Sequence, residues 1–354
     1  MTARNDHCPG TIVSVLTDTG MNVSWAVMSL VSAPPRQHRP VPTLVTEAGQ
    51  WSAGHELARR LPADAPVDGA LVALVERTRI LPPAVRDALA GLALDAGPAG
   101  ALLLRGLPTG TLPDTPATPT SAATKDRVSE LILLAVARSL GEPVGYRPEH
   151  GGALVQNLLP VRATAGTQTS TSSSVDLEFH TETAFHPHRP HYLLLTCLRS
   201  DPAARTFLCS IRELLADLGP DTRQVLTEPR FRTRVDESFG GTPEMAPGPL
   251  VPVLSGDAEA PTLVFDAELM FGSDPEAIEA LDLLRTAAVH RRLAVVLEAG
   301  DLLVVDNHAC IHGRSSFTAR YDGSDRWLQR IFVVDELGSS AADRVGRIID
   351  TRFT

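Results

Sequence analysis

The sequence predicts a mainly β fold with flanking helices, its core a double sheet of the jelly-roll or cupin-like kind. Three observations carry that expectation. Helical periodicity dominates from Ser52 to Gly141 and returns in one later segment. Most of the remainder is a succession of short apolar runs, the length of strands rather than helices. Gly, Pro and Asp turns separate those runs, and no internal repeat is visible.

Taken in order, residues 1–48 show no sustained periodicity and include "SAPPRQHRPVP". They read as an N-terminal extension, partly disordered. A single domain is expected over 49–354, with a helical first part at 49–141 and the strand-rich core over 100–335. Ser52 is expected to cap "SAGHELARRL", and two more helices, "PVDGALVALVERTRIL" and "PPAVRDALAGLALD", break at Pro82 and Pro83. "GALLLRGL" is a buried strand ended by Gly and Pro. A Pro/Thr-rich loop follows, then a helix over Lys125 to Leu140 stopped by Gly141. Strands are expected within "ALVQNLLPV", "HYLLLTCL", "RTFLCSI", "FRTRV", "TLVFDAEL", "LAVVLEAGDLLVVDN" and "RWLQRIFVV". One helix, "DPEAIEALDLLRTAAVHRRL", interrupts them.

Composition narrows the function. The 354 residues are 43% hydrophobic and 21% charged, ordinary values for a folded protein. A formal charge of -10 argues against nucleic acid or an anionic membrane as partner. Cys8, Cys197, Cys209 and Cys310 form no CxxC pair, so neither a disulfide framework nor a thiolate zinc site is indicated. The apolar stretch Met21 to Val31 is too short and too polar for a signal peptide or a membrane span. A cytoplasmic enzyme acting on a small molecule is the default expectation; oligomeric state is not legible.

Four of the eleven histidines fall within "LEFHTETAFHPHRPHYLLL", residues 177–195. His180 and Glu182 are two apart, and on a strand both would face one metal ion. "DNHACIHGRSSF" supplies a third ligand at His308 or His312. Two imidazoles and one carboxylate, with positions left open, make the ligand set of non-haem Fe(II) oxygenases. Such an enzyme using 2-oxoglutarate needs a cation for the distal carboxylate, and Arg holds a carboxylate bidentately. Arg326 lies fourteen residues beyond His312, after a "DG" turn. A hairpin there would bring Arg326 and Arg330 back beside the metal strand on one face.

The ordered motifs "FHTETAFHPHRPHYLLLTCLR", "RTFLCSI", "FDAELM" and "DNHACIHGRSSFTARYDGSDRWLQR" resemble the clavaminate synthase family of Fe(II)/2-oxoglutarate oxygenases. The likeness is to its amino-acid hydroxylase branch, which includes asparagine oxygenase and the arginine hydroxylases of viomycin- and capreomycin-type pathways. It covers roughly residues 100–335. It implies a double-stranded β-helix core and His180, Glu182 and His312 as the metal triad. By the same resemblance Arg326 meets the distal carboxylate of 2-oxoglutarate, assisted by Thr206, and Arg330 meets the substrate carboxylate. The implied reaction uses Fe(II), 2-oxoglutarate and dioxygen, releases succinate and CO2, and hydroxylates an unactivated carbon.

The remaining polar residues carry plainer alternatives. His186, His188 and His191 read as loop groups, His308 as a neighbour of the ligand, and Arg314 as a brace paired with a carboxylate. Glu149 and His150 fall where related enzymes place a substrate contact, though "EHGG" departs from the Gln of some of them. "TQTSTSSS", residues 167–174, is either a solvated loop or a contact for the substrate ammonium. Asp266 and Glu268, two apart in "VFDAEL", would share a strand face and suit a cationic side chain; the alternative is a turn cap and a solvated acid. "RVDESFGG" resembles the family's lid, expected over about 234–250, with Asp236 and Ser238 near a guanidinium. The expected activity is hydroxylation of L-arginine or a related basic amino acid at Cβ in antibiotic or nonribosomal peptide biosynthesis. Asparagine, lysine, citrulline and a cyclic arginine derivative stay open as substrates. A zinc hydrolase or a non-catalytic cupin-type binding protein are the rival classes.

Overall fold

The computed structural model describes residues 40–120 and 125–353, which belong to one compact unit. The disorder expected of the first part of the extension falls on residues 1–39, outside the described ones. The end of that segment is already inside the fold. Strand Thr43–Val45 pairs in parallel with Ala101–Arg105, so the sheet begins before residue 49.

Local chemistry accounts for the helices. Asp68 accepts the N–H groups of Ala70 and Leu71 and so caps helix Gly69–Thr78. Pro83 opens helix Pro83–Leu94, and Asp274 caps helix Pro275–Arg291 through the Ala277 N–H. Ser52 is not a cap: it already has helical φ and ψ, as the first residue of helix Ser52–Arg59. A one-turn 3-10 helix, Ala48–Trp51, precedes it, with the Gln50 side chain accepting from the Glu47 N–H at 2.8 Å. The fourth helix runs Val128–Leu140 and ends at Gly141, whose N–H donates to Ala137. It starts three residues later than periodicity suggests because Lys125 is drawn into a buried ion pair with Glu130 at 2.6 Å.

Two main sheets form the β part of the described residues, beside two two-stranded ones, Leu254–Gly256 with Pro261–Leu263 and Phe231–Thr233 with Met270–Gly272. The larger runs, edge to edge, Thr43–Val45, Ala101–Arg105, Leu302–Asp306, Tyr192–Arg199, Trp327–Val334, Glu142–Tyr146, Ile348–Ile349 and Arg344–Val345. Gln156–Leu158 pairs with Trp327–Val334 off this path. The smaller sheet has the order Leu293–Val296, Arg205–Ser210, Cys310–Arg314, Leu177–His180. Period-two alternation divides the residues of the large sheet. Leu104, Leu194, Val304, Ile331 and Val333 pack against the N-terminal helices. Leu103, Leu193, Leu195, Leu303 and Leu328 turn the other way and share a core with Leu208 and Cys310 of the smaller sheet. The outer face of the smaller sheet, through Cys209 and Ile311, packs on helices Ile211–Leu215, Pro220–Leu226 and Pro275–Arg291. The polar cavity between the sheets is therefore walled by apolar layers on both sides. Among the described residues no helix is long and apolar enough to cross a membrane.

One buried polar network ties the large sheet to the helical layer. Glu130 receives Lys125 and the Gln329 amide at 3.2 Å, and the Gln329 carbonyl oxygen accepts from Ser129 at 2.7 Å. Gln329 sits beside Arg330, so the network fixes the strand that delivers both arginines to the cavity. Removing Glu130 would strand the Lys125 ammonium, which is only 5% exposed. Glu130→Ala should therefore lower the unfolding free energy by about 3–5 kcal/mol, the range for breaking a buried pair from one side. Urea denaturation measures it, and a loss within error of zero would contradict the assigned network.

Candidate active site

The cavity between the sheets has a volume of about 870 Å³ and is lined from both of them. His180 ends strand Leu177–His180, and His312 faces it directly across the antiparallel pair, with ring centroids 4.4 Å apart. The approach is close because residue 313 is glycine; a Cβ there would sit 2.6 Å from the Leu177 carbonyl oxygen. Glu182 arrives differently from the strand-face expectation. The strand ends at His180, and the chain turns away at Thr181, whose N–H donates to Phe265 at 2.7 Å. Glu182 is thus placed by a turn, which continues through Thr183 at a left-handed φ of 52°.

One donor atom from each of His180, Glu182 and His312 can be chosen so that all lie within 4.8 Å of one another. The His180 Nδ1 lies 2.8 Å from the Glu178 carbonyl, which can only accept, so Nδ1 is the donor there and Nε2 is left as the candidate ligand atom. His312 Nε2 lies 3.4 Å from Glu182 Oε2. Burial, then His180, holds the His312 imidazole down at about 4, a neutral ligand at neutral pH. Burial works against the Glu182 charge, but Arg330, His312 and His180 outweigh it and hold the carboxyl at about 2. Two imidazoles and an ionised carboxylate on one spot suit a divalent cation of the Fe(II) kind.

The two arginines reach the cavity by another route than the expected hairpin. Their strand, Trp327–Val334, pairs with Tyr192–Arg199 in the large sheet, not with the His312 strand. The chain between His312 and Arg326 crosses from one sheet to the other, with Asp325 accepting the N–H groups of Arg320 at 2.7 Å and Tyr321 at 2.5 Å. Arg326 is 7% exposed and pairs with no carboxylate among the described residues. Burial lowers its pKa. Thr206, buried on strand Arg205–Ser210, also lines the cavity and lies opposite Arg314 in the ladder. Arg314 meets no carboxylate either. It donates to the Ser172 carbonyl at 2.7 Å, to Ser172 Oγ at 2.9 Å and to Val175, bracing the 167–174 loop through backbone rather than charge.

Arg330 is fully engaged by comparison. Its guanidinium donates to Gln156 at 2.9 and 2.6 Å, to Glu182 Oε1 at 3.2 Å and to Glu149. Four of its five N–H groups are thus used, leaving one on Nη1. Burial opposes its charge, but Glu149 and Glu182 reverse that and raise its pKa. Burial pushes the Glu149 carboxyl upward against Arg330, and its Oε2 has no hydrogen-bond partner. His150, next to it on a left-handed backbone at φ 49°, lines the cavity and is held at about 4 by burial and Arg330.

Asp266 and Glu268 do not share a strand face. The strand closes at Leu263, and Asp266 caps a turn by accepting the N–H groups of Glu268 at 2.9 Å and Leu269 at 2.7 Å. Both acids nevertheless line the cavity, and Asp266 forms an isolated backbone bridge with His180. Asp236 caps the one-turn helix Glu237–Phe239 through the Ser238 N–H at 2.7 Å, and Asp236 and Ser238 line the cavity as well. Burial, then Asp266, Asp236 and Glu178, raises the Glu268 carboxyl.

The other histidines stand apart from the triad. His186 accepts from the His188 N–H, His188 meets Asp343 at 2.7 Å, and His191 meets Asp335 at 2.5 Å and stacks on His308. Sequence reasoning passed over Gln156 and Asn307. Gln156 faces Arg330 across a ladder that spacing does not reveal, whereas Asn307 stands in the quoted "DNH" and was visible as a buried amide at a strand end.

Residues 98–332 match the family described as Taurine catabolism dioxygenase TauD, TfdA family. An L-asparagine oxygenase of Streptomyces coelicolor is 42% identical over 273 residues, covering 74% of this chain and 79% of that one. An L-lysine 3-hydroxylase of Catenulispora acidiphila is 38% identical over 263 residues, covering 72% and 73%. The crystal structure of the non-heme iron oxygenase OrfP in complex with Fe, succinate and (3R,4R)-dihydroxy-L-Arg superposes with a TM-score of 0.79. It is 30% identical and covers 87% of this chain and 100% of that one.

The buried histidines give the metal-free protein an acid sensitivity of defined sign. Burial depresses His186 to about 3 and His308 and His312 to about 4, below the ordinary 6.5. A depressed pKa means that the unfolded chain takes up the proton first, so stability falls as pH drops from 6.5 towards 4. His150, also held at about 4, acts in the same direction, while His191 is shifted the opposite way, since Asp306 and Asp335 overcome its burial, and offsets one of the four. The melting temperature of metal-free protein should therefore decline over that window, and less steeply in His308→Asn. A flat profile would contradict the burial assigned to these rings.

Proposed function

The chain belongs to the TauD/TfdA dioxygenase family, and from that premise we propose that it hydroxylates a free basic L-amino acid, L-arginine or a close relative, at Cβ, within antibiotic or nonribosomal peptide biosynthesis. Its two facing sheets are read as a double-stranded β-helix. His180, Glu182 and His312 hold Fe(II). Bound iron, with 2-oxoglutarate and dioxygen, supplies the oxidising power for C–H hydroxylation, and 2-oxoglutarate leaves as succinate and CO2. This chain's own residues bind, orient and exclude water.

Arg326 receives the distal carboxylate of 2-oxoglutarate, with the Thr206 hydroxyl beside it. A buried guanidinium without an internal carboxylate supports this role, because a charge out of water needs a counter-charge. Arg330 offers its remaining N–H to the substrate carboxylate and Glu149 accepts from the substrate ammonium, a reading supported by the N–H left on Nη1 and by the unpartnered Glu149 Oε2. Lid residues 234–250 order over the bound substrate and bring in Asp236 and Ser238.

The observation that carries the substrate reading is the acidic flank of the cavity formed by Asp236, Asp266 and Glu268. Arg330 touches Glu182 at one side of the triad, and Asp266 bridges His180 at the other. A substrate held by its carboxylate at Arg330 and by a cationic end at the acids lies along the metal-facing edge, with the carbons near its α-centre closest to the oxidant. The likeness to an asparagine oxygenase favours a second reading, a neutral carboxamide substrate. Such a substrate would leave the acidic flank without a partner.

Arg326→Gln should raise the KM for 2-oxoglutarate by the equivalent of about 2–5 kcal/mol, the cost of losing a buried charge-assisted contact. Succinate release against 2-oxoglutarate concentration measures it, and an unchanged KM would assign the carboxylate to another cation. The double variant Asp266→Asn with Glu268→Gln should weaken turnover of arginine and lysine far more than that of citrulline or asparagine. Wild-type preference in the double variant would make the acids structural. Turnover of asparagine alone by the native enzyme would favour the neutral reading.

A further inference from the structure

From the surroundings of Glu182 we infer that Asn307 is a positioning residue for this carboxylate, an inference that rests on reading His180, Glu182 and His312 as the metal-holding set. Asn307 is fully buried and stands just past strand Leu302–Asp306 of the large sheet. Its side-chain oxygen accepts from the Glu182 N–H at 2.7 Å. Its amide nitrogen donates to the Glu182 carbonyl at 3.2 Å and to the Pro190 carbonyl at 2.9 Å. Its own N–H donates to the His191 carbonyl at 2.8 Å. One side chain thus grips both polar groups of a single residue, as a neighbouring strand would.

Glu182 needs such a grip for a local reason. The ladder that holds His180 opposite His312 stops at His180, so Glu182 has no strand partner of its own. The next residue, Thr183, is β-branched with φ at 52°, a region such residues avoid. Arg330 steers the Glu182 carboxylate, but it acts on the far end of a flexible side chain. Asn307 fixes the backbone from which that side chain starts, and its own position comes from a central strand of the large sheet. An amide is the side chain that serves here, since both a donor and an acceptor are required at one position. Asp supplies the acceptor alone and would set a carboxylate against two carbonyl oxygens.

Co(II) alone, titrated into full-length metal-free protein and followed by its visible absorption, tests this without relying on turnover. Asn307→Ala should weaken Co(II) binding by about 10–100-fold, the usual effect of removing a group that orients a metal ligand. Asn307→Asp, which preserves the side chain's shape, should also weaken it and serves if the alanine variant does not fold. In a Glu182→Ala background, itself weakened, either substitution should cause no further loss, because nothing remains for Asn307 to position. An equal loss with and without Glu182 would overturn the inference, since Asn307 would then act on the fold at large. Unchanged affinity in the folded Asn307 variants would overturn it as well. Wild-type affinity in Glu182→Ala alone would instead remove the reading of the triad on which the inference stands.

Discussion

Arg330 is 4% exposed, and a guanidinium that far from water must be met by acceptors and by negative charge. Gln156 meets it from the neighbouring strand, Glu149 from the turn before that strand, and Glu182 from across the gap between the sheets. Three segments distant in sequence therefore converge because one cation has to be neutralised. The same contact keeps Glu182 ionised despite its burial, so the carboxylate is charged before any metal arrives. The ionised state of Glu182 thus depends above all on a single buried cation.

Arg326 shows what happens when such acceptors are withheld. It precedes the same strand, is about as buried, and meets no carboxylate among the described residues. Two arginines four positions apart thus divide the work. Arg330 meets Glu149 and Glu182 within the protein, whereas Arg326 pairs with no carboxylate among the described residues. Arg314 sharpens the contrast, because it is satisfied by carbonyls of the 172–175 segment and adds positive potential beside Arg326 without competing for an anion's place.

How much of this was legible in the sequence depends on whether a feature is local. The stop at Gly141 and the apolar runs are set by neighbours a few residues away and could be read directly, whereas the cap expected at Ser52 is a helical residue and the caps at Asp68 and Asp274 went unread. The metal-holding residues could be read as types and as spacing. Their placement could not, since the HxE spacing suits one strand face, yet Glu182 is delivered by a turn that Phe265 and Asn307 hold from elsewhere. A hairpin joining His312 to Arg326 was the shortest connection consistent with the "DG" turn. Pairing with Tyr192–Arg199 prevailed because it buries both faces of Trp327–Val334. Asp266 and Glu268 show the same limit, for a two-residue spacing fits a strand and an aspartate-capped turn equally well, and only tertiary packing chooses between them.

On the proposed reading the cavity holds two subsites of opposite sign, one at Arg326 and one at Asp266 and Glu268, all of which line it. Arg326 is a buried cation with its pKa driven down, and Asp266 and Glu268 are acids with theirs driven up, Asp266 chiefly by burial and Glu268 also by its acidic neighbours. Each shift means that the charged form is disfavoured until an opposite charge arrives. A dicarboxylate lowers the energy of the first subsite and raises that of the second, while a basic amino acid does the reverse at its cationic end. Ligand placement is thus enforced by repulsion as much as by attraction. Neither ligand can take the other's position without setting like charges together in a space walled by the apolar cores of two sheets, where water screens them poorly.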